Sequence, residues 1–348
     1  MAKSGGLSAS LARLAAPLAM LLLAAMPAAA DPVEDFYRGK SLSMLVGTSP
    51  GGDYDLRLRM VARHIGRHIP GNPTVVVNNM PGGGGLVVAN WLANVAPRDG
   101  SVVVAITQNL PVHQATGAAG VKFDVREFNF IGNTTDTPNV INSWHTTDIR
   151  TIDDAMRREL VLGATGIASG SYLYPHALNQ LVGTKFKIVT GYPGGNDINI
   201  AMERGEVGGR GSNSWASWKS TRPQWLAEKK IYILVQVGVK RNPELSDVPT
   251  MQELAKNDSD RQVLAFISAD TAISRPLVTN QGVPRERVAA LRRAFDATMK
   301  DPQFLAEAER SKTDISPMTG EEAQKIAAAT INTPPDVLAR ANALIEGR

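Results

Sequence analysis

One pattern constrains this chain more than any other: short apolar runs, each followed by a glycine-rich loop and then an amphipathic stretch, recur in order along it. Residues 41–47 (SLSMLVG) are apolar and bounded by turn formers, as a buried strand is. After the turn SPGGDYD, Leu56, Met60, Ile65 and Ile69 return near helical spacing with Arg57, Arg59, Arg63 and Arg67 between them, the pattern of an amphipathic helix. Prolines at 70 and 73 stop it, 74–77 reads as a second strand, NNMPGGGG opens a helix over 86–95, and SVVVAIT (101–107) is a third strand. Strand, loop and helix in alternation predict an α/β domain with a largely parallel sheet.

A second alternating block follows. It runs from FNFIGNT (128–134) through strand-like segments at 160–165 and 187–192, helices over 174–182 and 196–204, and the apolar strand IYILVQVGV (231–239). From about Pro284 the pattern turns helical. With 348 residues, two domains are expected, and no low-complexity linker divides them. Two lobes without a linker imply strands that cross between them, leaving a cleft and a hinge. The expected boundaries are 31–134 plus 248–348 for one lobe and 135–247 for the other.

Composition narrows the functional classes. Hydrophobic residues at 43% and charged residues at 20% belong to a globular protein. The absence of cysteine excludes disulfides, thiolate metal sites and a Cys nucleophile. The formal net charge is +4, and its two signs are mixed along the chain, which argues against a nucleic-acid partner. Lys3 and Arg13, an apolar run over 14–26 and Ala28-Ala29-Ala30 resemble a secretory signal peptide cleaved near Ala30. Pro17 and Pro27 make the run too short to anchor in a membrane. The predicted location is the periplasm, where nucleotide cofactors are scarce, and none is expected.

Individual motifs are ambiguous. Gly47-Thr48-Ser49-Pro50-Gly51 fits a hydrolase nucleophile elbow between strand and helix. Yet the residue after Ser49 is a proline and lacks the N–H that an oxyanion hole needs. Gly82–85 is neither a dinucleotide fingerprint nor a Walker loop, though such a loop at a helix start suits an anion. His64 and His68 lie four apart without H-E-x-x-H and beside arginines, so no metal site is expected. Glycine-rich loops recur at 47–52, 82–85, 163–170, 191–195 and 208–211, where open α/β sheets bind ligands.

The runs TSPGGDYD and VVVNNMPGGGGLVVANWLANVAPRDG, followed by DVPTMQEL (247–254) and QGVPRERVAALRRAFDATMKDPQF (281–304), resemble the solute receptors of tripartite tricarboxylate transporters, the Bug family. The resemblance implies a two-lobed Venus-flytrap fold of type II, no catalysis, and capture of a small organic carboxylate between the lobes for a membrane permease, by a monomer. It places Ser49, Gly51, Gly52 and Asp55 on a first ligand loop, Asn79, Gly84 and Gly85 on a second, and Gln108 nearby. Ser169, Gly170, Ser171 and His176 would face the ligand from the other lobe. Asp55 could equally cap a helix, and His176 could simply pack. The chain departs from the family at Val88 and at Gly208-Gly209-Arg210-Gly211-Ser212-Asn213. That segment reads as a turn, unless it lies at the cleft, where Arg210 could grip a carboxylate bidentately with Asn213 beside it. Rival readings are an exported serine hydrolase using Ser49 and a ligand-sensing subunit without a transport role.

Overall fold

The structure, a computed structural model, describes residues 1–2 and 31–345; the signal segment predicted up to Ala30 lies almost wholly outside them. Two sheets organise the rest. Strands β1 (Ser41–Val46), β2 (Thr74–Asn79), β3 (Val102–Ala105) and β4 (Asn129–Asn133) belong to the first, and β5 (Asn139–Trp144), β6 (Leu160–Gly163), β7 (Phe186–Val189), β8 (Gly209–Ser214) and β9 (Ile231–Val237) to the second. The chain then returns through β10 (Pro276–Thr279) and β11 (Met318–Thr319), giving sheet orders β11-β4-β10-β3-β1-β2 and β7-β6-β8-β5-β9.

The central strands of the first sheet are buried on both faces, which is why β1 and β3 read as largely apolar runs, while the edge strand β2 stays half-exposed. Met44, Val46 and Val103 pack with Leu58, Met60, Val61 and Ile65 of the helix Asp53–Ile65 and with Leu291 and Phe295 of the helix Arg285–Thr298. Their neighbours Leu45, Val102 and Val104 face the other way, onto Val88, Ala89 and Leu92 of the helix Leu86–Asn94. Odd and even strand positions thus feed separate cores. Strands β2 and β3 run parallel to β1, while β10 is antiparallel to β3 and β4.

In the second sheet Ile141, Leu160, Leu162 and Val235 pack on Leu173, Ala177 and Leu178 of the helix Gly170–Leu181. The same core contains Val263, Leu264 and Ile267 from the helix Asp258–Ser268 and Ala341 and Leu344 from the helix Pro335–Ile345. This corrects the expected boundary at 248. Residues 251–268 and the last helix pack with the second sheet, because their apolar faces complete its core rather than the first one.

Besides residues 332–334, which lead from the first lobe into the last helix, the lobes are joined by two short crossings, 134–138 from β4 to β5 and 269–275 into β10. They are tied side by side: Thr134 N–H donates to the Arg275 carbonyl, and Ser274 Oγ donates to the Thr137 carbonyl at 2.9 Å. Strand β8 is the main departure from the sequence expectation. The segment read as a glycine turn is a strand between β5 and β6. Cβ atoms at Gly209 and Gly211 would collide with the backbone carbonyls of Asn142 and Ser171, so close packing at those positions requires glycine.

Candidate functional site

Between the lobes lies a cavity of about 100 Å³, room for several waters rather than one. The loop after β1 contributes Thr48, Gly51, Gly52, Asp53 and Tyr54, and the loop after β3 contributes Thr107, Gln108 and Asn109. The second lobe answers with Thr165 and Ser169–Ser171 after β6, Gly195 and Asn196 after β7, and Arg210, Ser212 and Asn213 on β8. Apart from Arg210, near the start of β8, these lie towards the carboxyl ends of parallel strands, where open α/β sheets bind ligands. Three helices, Asp53–Ile65, Gly170–Leu181 and Gly195–Glu203, start at this wall with N-caps Gly52, Ser169 and Gly194, none of which makes a side-chain capping bond. Their positive dipole ends favour an anion.

The charges in the wall are unequally partnered. Asp53 bonds Arg275 at 2.7 Å and lies 3.6 Å from Arg57. Burial opposes its ionisation, but Arg275 and then Arg57 outweigh that and hold the carboxyl below its usual range. Arg275 also donates to Gln108 Oε1, the Ser274 carbonyl and Ser214 Oγ, and its guanidinium lies 4.0 Å from the Tyr54 ring centroid. Arg210 has no carboxylate partner. Its Nη1 donates to Asn199 Oδ1 at 3.2 Å, while its Nε is buried without a hydrogen bond. Burial, and then the charge of Arg275, pull its pKa down to about 9, so the guanidinium remains charged at neutral pH. Asn213 Nδ2 and Thr48 Oγ1, in the same wall, are also buried without partners. At the floor, Tyr174 Oη donates to both oxygens of Asp270 at 2.9 and 2.8 Å, and burial pushes that carboxyl up to about 7.

The residues expected from the sequence fall in different places. Gly51, Gly52, Gln108, Ser169, Gly170, Ser171, Arg210 and Asn213 all line the cavity. Asp55 and Asn79 do not; they brace the loop behind it. Asp55 accepts from Gly51 N–H, Arg59 Nε and Asn79 Nδ2, each at 2.9 Å, and Asn79 donates to the Thr48 carbonyl. The N-cap of that helix is Gly52, so Asp55 reaches back to the loop from inside the first turn instead of capping. His176 is elsewhere: its ring pairs with the Leu344 carbonyl and stacks on Tyr172.

Ser49 and Gly84 lie where the lobes meet, whereas Gly85 packs against Thr107 of its own lobe. Ser49 Oγ donates to Asp197 Oδ2 across the cleft at 2.6 Å. The Gly84 backbone has φ +71°, and a Cβ there would come within 2.8 Å of Ser169 N. The glycine loop therefore serves the close approach of the lobes. Asn109 donates to the Ala168 carbonyl, and Lys219 pairs with Asp314 at 2.8 Å, adding further inter-lobe ties.

Sequence reasoning missed Asp53 and Arg275. Asp53 lies two residues before Asp55 with no local feature to single it out, and for Arg275 the one local signal is a lone arginine opening an apolar strand before a proline. No histidine bonds Ser49: His64 and His68 pair with Glu307 and Asp301, and His113 is buried without partners. Among the described residues no cluster of three or more His, Asp or Glu could hold a metal, and no helix is long and apolar enough to cross a membrane.

A two-sheet α/β chain with its cavity at the lobe junction has the architecture of two-lobed periplasmic binding proteins. The structure aligns with the periplasmic binding protein BugD at a TM-score of 0.68 and 19% identity, covering 89% of this chain and 98% of that one. It aligns with MatC from Rhodopseudomonas palustris with bound malate at 0.68 and 17%, covering 88% and 99%. Residues 58–346 match the model of the tripartite tricarboxylate transporter family receptor, so the chain belongs to that family of solute receptors, which is not a family of enzymes. A UPF0065 protein in the gbd 5′ region of Cupriavidus necator is 26% identical over 329 residues, 92% of each chain.

Proposed function

We propose that this chain is a periplasmic receptor, exported by a signal peptide cleaved near Ala30, that closes over a small organic carboxylate and presents it as a monomer to a tripartite tricarboxylate-type permease. The observation that carries the reading is Arg210. It is the cation in the wall without an acidic partner, beside two more donors that lack acceptors. A charged hydrogen bond contributes about 1.5 to 3 kcal/mol net. Two from a guanidinium, with amides at three helix starts, approach the ~8 kcal/mol of micromolar binding. Hinge closure then brings the loops after β6 and β7 over the loop after β1.

Trp218 reports on the site, since its ring centroid is 5.6 Å from the Arg210 guanidinium. Adding the right carboxylate shifts tryptophan emission and raises Tm, and mass spectrometry of material released from the periplasmic protein identifies a small organic acid. Silence across a broad carboxylate panel together with an empty cleft on purification overturns the reading. The hydrolase alternative loses its support, because the Ser49 hydroxyl is spent on Asp197.

A further inference from the structure

One buried carboxyl sits where both lobes and a crossing between them converge. Asp270 belongs to the short crossing helix Ala269–Ile273 and is 1% exposed. From the second lobe, Tyr174 Oη donates to both of its oxygens. From the first, Gln108 Nε2 lies 3.5 Å from Asp270 Oδ1 and 3.5 Å from the Tyr174 hydroxyl. Tyr174 and Gln108 also line the cavity, so separating the lobes pulls this cluster apart and lets water reach it. From this we infer that closure of the lobes takes up a proton at Asp270, which makes the closed form the acid-favoured one. The inference uses the hinge closure proposed above and does not depend on which acid enters the cleft.

The surroundings decide the sign. Arg275, on the same crossing, is committed to Asp53 and donates to Gln108 Oε1, while Tyr54 lies over that guanidinium and donates its hydroxyl to the Ser274 carbonyl. On the helix of Tyr174, His176 pairs with the Leu344 carbonyl. The crossing packs on the helices Asp258–Ser268 and Gly320–Ile331. Their charged residues stand in the first two turns: Asp258 pairs with Arg261, Asp260 with Arg340 and Glu321 with Arg292, and Glu322 and Lys325 are exposed. Asp270 is thus left with neutral donors, and burial pushes its carboxyl up to about 7 against the lowering by Tyr174 and Gln108. Water in an open cleft returns it towards 3.8. Between those values the closed form holds one more proton than the open form, so the closed-to-open ratio falls as pH rises through them.

The chain has no cysteine, so paired labels can be introduced without background. Val76 on β2 and Lys187 on β7 are exposed on the sheet edges farthest from the crossings. Spin labels at Val76→Cys and Lys187→Cys in the ligand-free mature protein report the lobe separation by double electron–electron resonance. The closed-to-open ratio should rise roughly tenfold or more from about pH 8 to about pH 5. Asp270→Asn, neutral throughout, should hold it constant. A wild-type ratio constant within about twofold, a ratio that rises with pH, or an equal response in the Asn variant overturns the inference and leaves carboxylate capture standing. Should Asp270→Asn not fold, Tyr174→Phe decides: losing the hydroxyl that favours the ionised form moves the transition up by about one pH unit, and an unmoved transition overturns the role of Asp270.

Discussion

Two arginines share the cavity, 65 positions apart in the chain, and the fold treats them in opposite ways. Arg275, where the chain re-enters the first lobe, is held by Asp53 and by acceptors on four residues in all. Arg210, on the central region of the second sheet, is given one amide oxygen and no counter-charge. The first arrangement is complete without a ligand and positions the loop after β1 against the hinge. The second is incomplete, and burying an uncompensated cation costs stability that only an incoming anion recovers. A paired charge and an unpaired one in a single wall therefore differ as scaffold and, on the proposed function, binding group.

The comparison breaks most visibly if the paired side is not structural. Asp53→Asn leaves Arg275 and Arg57 buried without their counter-charge, and such losses cost about 3 to 5 kcal/mol. A large fall in Tm and in the denaturation midpoint is expected even without ligand. A variant as stable as the parent would show that the paired arginine is no more structural than Arg210.

The acidic residues offer the same contrast. Asp53 has two cations; Asp270, 1% exposed, has only Tyr174 and Gln108 near its oxygens. Burial raises its carboxyl from 3.8 to about 7, so the folded protein retains a proton that the unfolded chain releases. Stability accordingly falls as pH rises from about 4 to about 7 and levels off above, by at most about 4 kcal/mol for three pKa units. His113, lowered by burial to about 4, pulls the opposite way: its stability is present above pH 6.5 and lost as pH falls towards 4. The measurement is therefore the difference between wild type and Asp270→Asn in Tm from pH 5 to 8. The variant should lose the downward slope, and identical slopes would put the proton elsewhere.

Arg210→Gln should do what Asp53→Asn does not. Removing a buried cation with no partner leaves Tm unchanged or higher, while affinity for the bound acid falls about 10- to 100-fold, the worth of one charged hydrogen bond. Calorimetry and melting on one preparation separate the two effects. Loss of stability with unchanged affinity would invert the comparison.

The two sides also differed in how legible they were. The loop after β1 could be read because glycine, aspartate and an apolar run on either side follow strand and helix rules, and the succession of strands and helices emerged from the same alternation. Strand β8 could not, since Gly209 and Gly211 are dictated by backbone carbonyls of β5 and of the helix after β6, contacts that no local pattern encodes. Its alternate positions, Arg210 and Ser212, are polar because they line the cavity. A strand whose one face carries glycines and whose other face turns polar side chains to the cavity has no hydrophobic periodicity to detect. Asp53 and Asp55 could not be told apart for a related reason. Both sit in the first turn, and only Arg275, more than 200 residues away, selects which one is drawn to the cavity.

The smallest effect lies at the seam between the walls. Ser49 donates to Asp197 at 2.6 Å, a bond that exists only while the lobes are together. Removing it with Ser49→Ala costs about 1.5 kcal/mol, the low end for a bond to a charged group because the pair is only partly buried, roughly tenfold in affinity. In the proposed hinge closure the bond forms after the ligand has entered, so the loss belongs to the closed state and should appear as faster dissociation with little change in association. Asp197 lies in the first turn of its helix, where the free N–H groups and the dipole hold it without the hydroxyl, so the fold should not suffer. Stopped-flow tryptophan fluorescence resolves the two rate constants. A slower association with unchanged dissociation would make Ser49 part of the entry path, and the seam would then have to be grouped with Arg210 rather than with the scaffold.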